Sequence, residues 1–180
     1  TYTTTKSQYR LADNQKALVV TLTGRQGKLQ VKKIYSFIRG RYAIGLQQQV
    51  KNTGQAAWSG SFYQQFLRQH QKQSHWMSNR GYNGGAISTP DKPYDKLTYK
   101  NMNEANLGRS IPGGWVAMQQ HYFLSTWLPA KNTRNYFYTR VNSTASGASS
   151  YTLGYVSPAV QLASGQVATH KATLYVGPEI

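Results

Sequence analysis

Read for apolar and polar positions, the chain alternates at strand spacing far more often than it repeats at helical spacing. Ala17 to Thr23 (ALVVTLT) is a compact β-rich run, closed by turn residues from Gly24 to Gly27. Lys28 to Ile38 sets Leu29, Val31, Tyr35 and Phe37 on one parity and Lys28 and Lys32 on the other. Tyr42 to Val50 is the cleanest alternation, with Tyr42, Ile44, Leu46 and Val50 on one face and Gln47 and Gln49 on the other. Tight glycine connections, such as Arg39-Gly40-Arg41, join these runs and predict an antiparallel meander. Thr1 to Leu11 reads as a looser strand before it, and Trp58 to Leu67 as another after it.

From Arg68 to Gly85 the pattern dissolves into a polar, Gly-rich stretch, which predicts a long functional or flexible loop. Tyr94 to Lys100 reads as a short edge strand, and Asn103 to Leu107 as a single helical turn. Further strands are expected at Asn135 to Val141, Tyr151 to Val156 and Gln166 to Val176. Roughly nine to eleven strands and no long helix predict an all-β sandwich or barrel.

The run at the centre of this pattern is Gly113 to Pro129, GGWVAMQQHYFLSTWLP. It opens on a Gly-Gly turn, carries no formal charge and stops at a proline. Both parities are about half apolar, as in a strand covered on both sides. Periodicity alone allows a helix; the aromatic content and the Gly/Pro brackets favour one long central strand. The run is too short for a membrane-spanning helix, which needs roughly twenty residues. Trp115, Phe123 and Trp127 are expected in the core.

Composition adds a charge asymmetry to this outline. The 180 residues hold 21 Lys and Arg against 5 Asp and Glu, a formal net charge of +16. Ten of the basic residues, Lys6 through Lys51, precede Asn52, opposed only by Asp13. They are either the outward residues of amphipathic strands or a patch for an anionic partner. No basic run is longer than Lys32-Lys33, which is sparse for a nucleic-acid arm, so no nucleic-acid partner is expected. Cysteine is absent, which excludes disulfides, zinc fingers and thiol nucleophiles. The start at Thr1 and the end at GPEI point to a piece of a longer protein, so targeting signals would lie outside it.

Catalytic chemistry is thinly supplied. Asp91 and Asp95 sit beside prolines in a loop and form no obvious acid/base pair. The four histidines are scattered; only His70 and His75 are near one another, without a carboxylate or thiolate companion for a metal. His121 reads as a hydrogen-bonded core histidine. Phosphate-cradling and nucleophile-elbow motifs are missing, and neither metal nor cofactor is expected. Asn142-Ser143-Thr144 fits a glycosylation sequon in a Ser/Thr-rich loop, where such a match is cheap. Exposed aromatics remain as contact candidates: Trp58, Phe62, Trp76 and Tyr94, in or near the loops.

Three runs carry a resemblance: AISTPDKPYDKLTYK from Ala86, the central segment, and ATLYVGPE from Ala172. In this order and spacing they resemble the periplasmic domain of the bacterial membrane protein insertase YidC. The earlier YRL, LVVTL, KIYSFIRGRYAI and the Val50-to-Asn52 V-x-N agree, so the similarity covers nearly the whole chain. The most specific residues are Gly113, Gly114, Trp115, Gln120, His121, Tyr122, Phe123, Trp127 and Pro129, a structural signature. The resemblance implies a β-supersandwich of galactose-mutarotase-like type, present as its C-terminal portion, with antiparallel sheets and little helix. It implies one periplasmic domain over 1–180, monomeric as a fragment, with the family's membrane helices outside the chain on both sides. The implied protein sits in the bacterial inner membrane and inserts and folds inner-membrane proteins, alone or with the Sec translocon. The essential arginine of that activity lies among the membrane helices, so no arginine here inherits it. Implied partners are nascent inner-membrane proteins and Sec components, and the basic bias adds an anionic phospholipid surface. A carbohydrate-binding or mutarotase-like sandwich is the alternative, against which the scarcity of carboxylates counts.

Overall fold

The computed structural model describes residues 1–70, 81–143 and 149–179. Among them are fifteen strands and one six-residue helix, and every registered strand pair is antiparallel. The all-β expectation holds. Two compact units divide the chain: Thr1–Phe62 with Ala159–Leu174, and Tyr63–Pro158 with Tyr175 onward.

The first unit is built on the predicted meander, β2 (Ala17–Gln26), β3 (Leu29–Ile38) and β4 (Ala43–Asn52). Gly27 and Gly40 take positive φ at its two turns. β1 is only Tyr2–Thr3, where a strand to Leu11 was expected; beyond Thr3 the chain folds on itself, with the Thr4 and Thr5 hydroxyls bonded to the Tyr9 hydroxyl. The sheet order is β1-β2-β3-β4-β15, where β15 (Val167–Pro178) contributes its residues up to Leu174. A two-stranded ribbon of β5 (Trp58–Gly60) and β14 (Val160–Leu162) completes the unit. The core is the inward parity of the meander: Val50, Phe62 and Leu162 are buried, with Leu29, Val31, Trp58, Val160 and Ala168 packed on them. Tyr42, expected on that face, is exposed just ahead of β4.

The second unit has a four-stranded sheet in the order β6-β13-β12-β9: β6 Tyr63–His70, β9 Gly108–Pro112, β12 Arg134–Ser143 and β13 Ser149–Val156. Its other strands run in the order β15-β11-β10-β7-β8, with β7 Gly84–Ile87, β8 Asp95–Leu97, β10 Val116–Gln120 and β11 Phe123–Pro129. Phe137, Tyr155, Leu153, Val116 and Ile87 are its largest fully buried apolar side chains. Helix α1, Tyr99–Glu104, starts on a Thr98/Asn101 capping box and buries Tyr99 and Met102. The helical turn therefore comes four residues earlier than its expected position at Asn103, because the cap lies at Thr98.

The central segment is where the sequence reading needs its largest correction. It is not one long strand but the hairpin β10–β11, closed by Gln120 opposite Phe123 with His121 and Tyr122 as the turn. Tyr122 adopts φ +77°, a left-handed conformation uncommon outside Gly, Asn and Asp. The turn thus lacks the residues that announce one, and contacts hold it instead: the Glu179 N–H donates to the Tyr122 carbonyl at 3.0 Å. His121 is a half-exposed turn residue with its ring 3.8 Å from that of Tyr122, not a core histidine. Phe123, expected in the core, is 63% exposed. The Trp58-to-Leu67 strand is likewise two strands, β5 and β6, and the expected loop from Arg68 begins inside β6.

Candidate functional site

Of the four predicted contact residues, Trp58 lines a cleft. Its ring lies over Gly60 in the wall of a depression of about 910 Å³ shared with Lys28, Asn52 and Gln55. Asn52 has no free polar group to offer there. Its side-chain amide donates to the Ala56 carbonyl at 2.8 Å and the Leu162 carbonyl at 3.0 Å, and its oxygen accepts from the Gly54 N–H at 2.9 Å. The cleft therefore presents Trp58, Lys28 and Gln55 to a ligand. Phe62 is a correction: it is 8% exposed, stacked on His170 at 5.2 Å, and belongs to the core. Packing against His170 also pushes that imidazole below its ordinary pKa, because burial disfavours the charged ring. Trp76 lies outside the described residues, and the His70/His75 pair reaches into the same segment.

Tyr94 is exposed but tethered. Its hydroxyl donates to the side-chain oxygen of buried Gln119, whose amide donates to the Glu179 carboxylate at 2.6 Å. Arg68 completes this node, donating to the Gln119 carbonyl at 3.1 Å and the Gln120 side chain at 3.0 Å. Gln119, Arg68 and Glu179 escaped the sequence reading because nothing local ties positions so far apart. Other signature residues shape turns or pack inward, while Tyr122 and Phe123 are exposed. Gly113 and Gly114 take φ +65° and +79°, Trp127 and Pro129 are buried, and Trp127 stacks on Phe66 at 6.1 Å. Trp115 is half-buried beside Tyr94, with ring centres 6.2 Å apart. A Cβ at Gly114 would stand 2.3 Å from the Ser88 carbonyl oxygen, so the turn into β10 requires glycine.

A second concave surface lies on the outward face of the four-stranded sheet and was not predicted. Tyr63, Tyr136 and Tyr138 line a groove of about 580 Å³ with Gln65, Asn106 and Arg140. Tyr63 is 59% exposed. Tyr138, Gly154 and Gln65 stand in one cross-strand row. With no side chain at Gly154, the Tyr138 hydroxyl reaches across to the Gln65 side-chain oxygen at 2.6 Å. A Cβ at Gly154 would meet the Gln64 carbonyl oxygen at 2.4 Å. The Arg140 guanidinium lies 5.8 Å from the Tyr138 ring centre, and burial holds the phenol above its ordinary pKa. Such a surface can stack flat apolar faces and donate hydrogen bonds at its rim. The signal was present in the sequence: Tyr136, Tyr138 and Arg140 share a parity, while Phe137, Thr139 and Val141 take the other.

A third feature is electrostatic. On the face of β2–β4 opposite the core, Arg25, Gln30 and Lys51 form one cross-strand row and Thr23, Lys32 and Gln49 the next. Arg25, Lys32 and Lys51 are all exposed. Two of the acids pair elsewhere, Asp95 with Lys92 at 2.6 Å and Glu104 with Lys100 at 3.8 Å. Among the described residues no three potential metal ligands cluster, and no helix is long and apolar enough to cross a membrane.

Solved structures with the same fold include an α-galactosidase from Geobacillus stearothermophilus, with TM-score 0.60, 9% identity, and coverage of 99% of this chain and 27% of that one. A galactose mutarotase-like protein from Lactobacillus casei has TM-score 0.52 and 10% identity, over 95% of this chain and 73% of that one. At such identities they establish the galactose-mutarotase-like sandwich and nothing further. Sequence relatives speak to the family. A membrane protein insertase YidC of Coxiella burnetii is 44% identical over 178 residues, 97% of this chain and 31% of the relative. The YidC of Legionella pneumophila strain Paris is 37% identical over 183 residues, 99% of this chain and 32% of the relative. The chain thus spans about a third of the length of the curated relatives it matches. The family model for the YidC periplasmic domain matches residues 1–180, and the chain belongs to that family.

Proposed function

We propose that this chain is a non-catalytic interaction module of a membrane protein insertase, held on the periplasmic side of the bacterial inner membrane and working as one domain over 1–180. The supporting observation is the family match along the entire chain, with relatives that carry the insertase name. In this reading its partners are inner-membrane proteins during insertion and components of the Sec translocon. The tyrosine groove and the Trp58 cleft are the surfaces that would meet them. Tyrosines suit such work because each supplies a large rigid face at little conformational cost. The test is photocrosslinking from Trp58, Tyr63, Tyr94 and Tyr136 within the full-length protein. Adducts to a nascent inner-membrane protein or to Sec components support the proposal; their absence at all four positions would sink it.

A second reading, saccharide binding, is favoured by one observation: three tyrosines flanked by the planar polar groups of Gln65, Asn106 and Arg140. A glycan array on the purified chain decides it. Selective binding abolished by Tyr136→Ala would establish it, and a blank array would remove it.

A further inference from the structure

The tyrosine groove lies over strands whose backbone is already engaged. β12 and β13 are each paired on both sides, so a ligand in the groove finds no free strand edge and is recognised by side chains. Tyr63, Val156 and Tyr136 form one cross-strand row, the tyrosines 59% and 51% exposed with the half-buried valine between them. The Tyr138 phenol, which reaches across Gly154 to Gln65, floors the next row. Gly108 gives Tyr136 similar room: a Cβ there would stand 2.6 Å from the Tyr136 hydroxyl. Both phenols therefore lie along the sheet instead of standing up from it, and make a shallow aromatic floor.

The hydrogen-bonding capacity around this floor is lopsided. Gln65 Oε1 accepts from the Tyr138 hydroxyl, which leaves the Gln65 amide N–H groups to offer. Arg140 can only donate; it is exposed and, among the described residues, has no carboxylate partner. A saccharide hydroxyl asks for acceptors that these two groups do not supply. A helix satisfies its own carbonyls and leaves the donors unanswered. A polyproline II segment matches them, because its carbonyls have no internal partner and its prolines have no N–H to satisfy. Its pyrrolidine rings are compact apolar faces of the kind that dock in aromatic-lined grooves.

We infer that the groove binds a proline-rich segment in the polyproline II conformation, laid over the tyrosines, with a carboxylate beside its prolines paired to Arg140. The Gln65 amide and the Arg140 guanidinium donate to the segment, and the phenols of Tyr63 and Tyr136 flank its prolines. The inference names the chemistry of the partner segment, and it rests on the reading of this groove as a contact surface of the insertase module.

The probe is a fluorescent peptide, Ala-Pro-Pro-Ala-Pro-Pro-Glu with a capped C-terminus, titrated by anisotropy against the solubilised full-length protein. Binding should saturate, and Tyr136→Ala or Tyr63→Ala should weaken it about tenfold or more. Tyr136→Phe keeps the ring and should stay within about threefold of the wild type. Arg140→Gln should weaken the peptide ending in Glu and leave a peptide ending in Gln unaffected, a coupling that misfolding would not produce. Three results overturn the inference: no saturation at millimolar peptide, equal binding of a peptide with alanine at every proline, or full affinity in both alanine variants. Crosslinking from Tyr63 and Tyr136 separates this failure from that of the wider reading. Adducts to inserting proteins or Sec components without peptide binding would sink the proline-rich segment alone.

Discussion

Asn52 offers the sharpest test of how the first unit is held together. It is 2% exposed, and its side chain makes three hydrogen bonds, to Ala56, Leu162 and Gly54. Its backbone adds two more, its N–H to the Gln166 carbonyl at 3.0 Å and its carbonyl from the Gly165 N–H at 2.8 Å. One residue therefore fastens the end of β4 to the following turn and to the β14–β15 connection. Asn52→Ala leaves the backbone bonds and deletes the three side-chain bonds, each worth about 0.5–1.5 kcal/mol net. Because the Leu162 carbonyl is left buried without that partner, the expected loss is about 3 kcal/mol. For a chain of this size that lowers the melting temperature by roughly 6–12 °C. Asn52→Asp should be worse at neutral pH. It keeps an acceptor for the Gly54 N–H but turns a carboxylate oxygen towards two carbonyls, and a buried unpaired charge is costly. Acidification should narrow the gap between the two variants, since a protonated carboxyl can donate again. Urea unfolding followed by tryptophan fluorescence reads both effects. A loss below about 0.5 kcal/mol for Asn52→Ala, or an Asp variant as stable as the wild type, would refute the clip.

Further outcomes follow from other positions. Phe62→Ala should cost about 3–5 kcal/mol by opening a cavity against Val50, Leu162 and His170, measured by the same urea titration; an exposed contact residue would cost almost nothing. Gly114→Ala should cost at least about 2 kcal/mol, combining left-handed strain with the approach to the Ser88 carbonyl, and calorimetry should show it. His170 has a depressed folded-state pKa, so below its unfolded value of about 6.5 the unfolded chain binds the proton more readily. Its contribution to stability is therefore complete above that pH and is lost as the pH falls towards the folded value; His170→Gln should flatten the stability difference between pH 7.5 and 5.5. Replacing Arg25, Lys32 and Lys51 together by Gln should abolish sedimentation with vesicles containing anionic phosphatidylglycerol at low salt. Retained binding would relieve that face of any lipid role.

Much of the first unit was legible because its meander obeys local rules: clean alternation over Tyr42–Val50 and turns at Gly27 and Gly40. The hairpin at His121-Tyr122 was not legible. QHYF contains no turn former, and the conformation of Tyr122 is fixed by Glu179, 57 residues further on (179 − 122). Phe62 was misjudged because it lies close to the long polar stretch, whereas its burial depends on β14 and β15, which arrive about a hundred residues later. The tyrosine groove was half visible. Parity puts Tyr136 and Tyr138 on one face, but only the pairing of β12 with β13 and β6 shows that Gly154 leaves room between Tyr138 and Gln65.

The discontinuity of the first unit bears on the order in which the protein is made. Residues 1–62 are synthesised early, but the partners of Val50, Phe62 and Asn52 lie in Ala159–Leu174. The intervening segment, 63–158, is 96 residues (158 − 63 + 1). At about 5–20 residues per second, ribosomal elongation takes roughly 5–20 s to supply them. During that interval the emerging meander waits with the inner face of β4 uncovered and its far edge unpaired, while the intervening residues can already begin to collapse. The Asn52 clip can close only as the last strand arrives. A nascent chain of this protein therefore carries an unfinished sheet until residues 159–174 emerge.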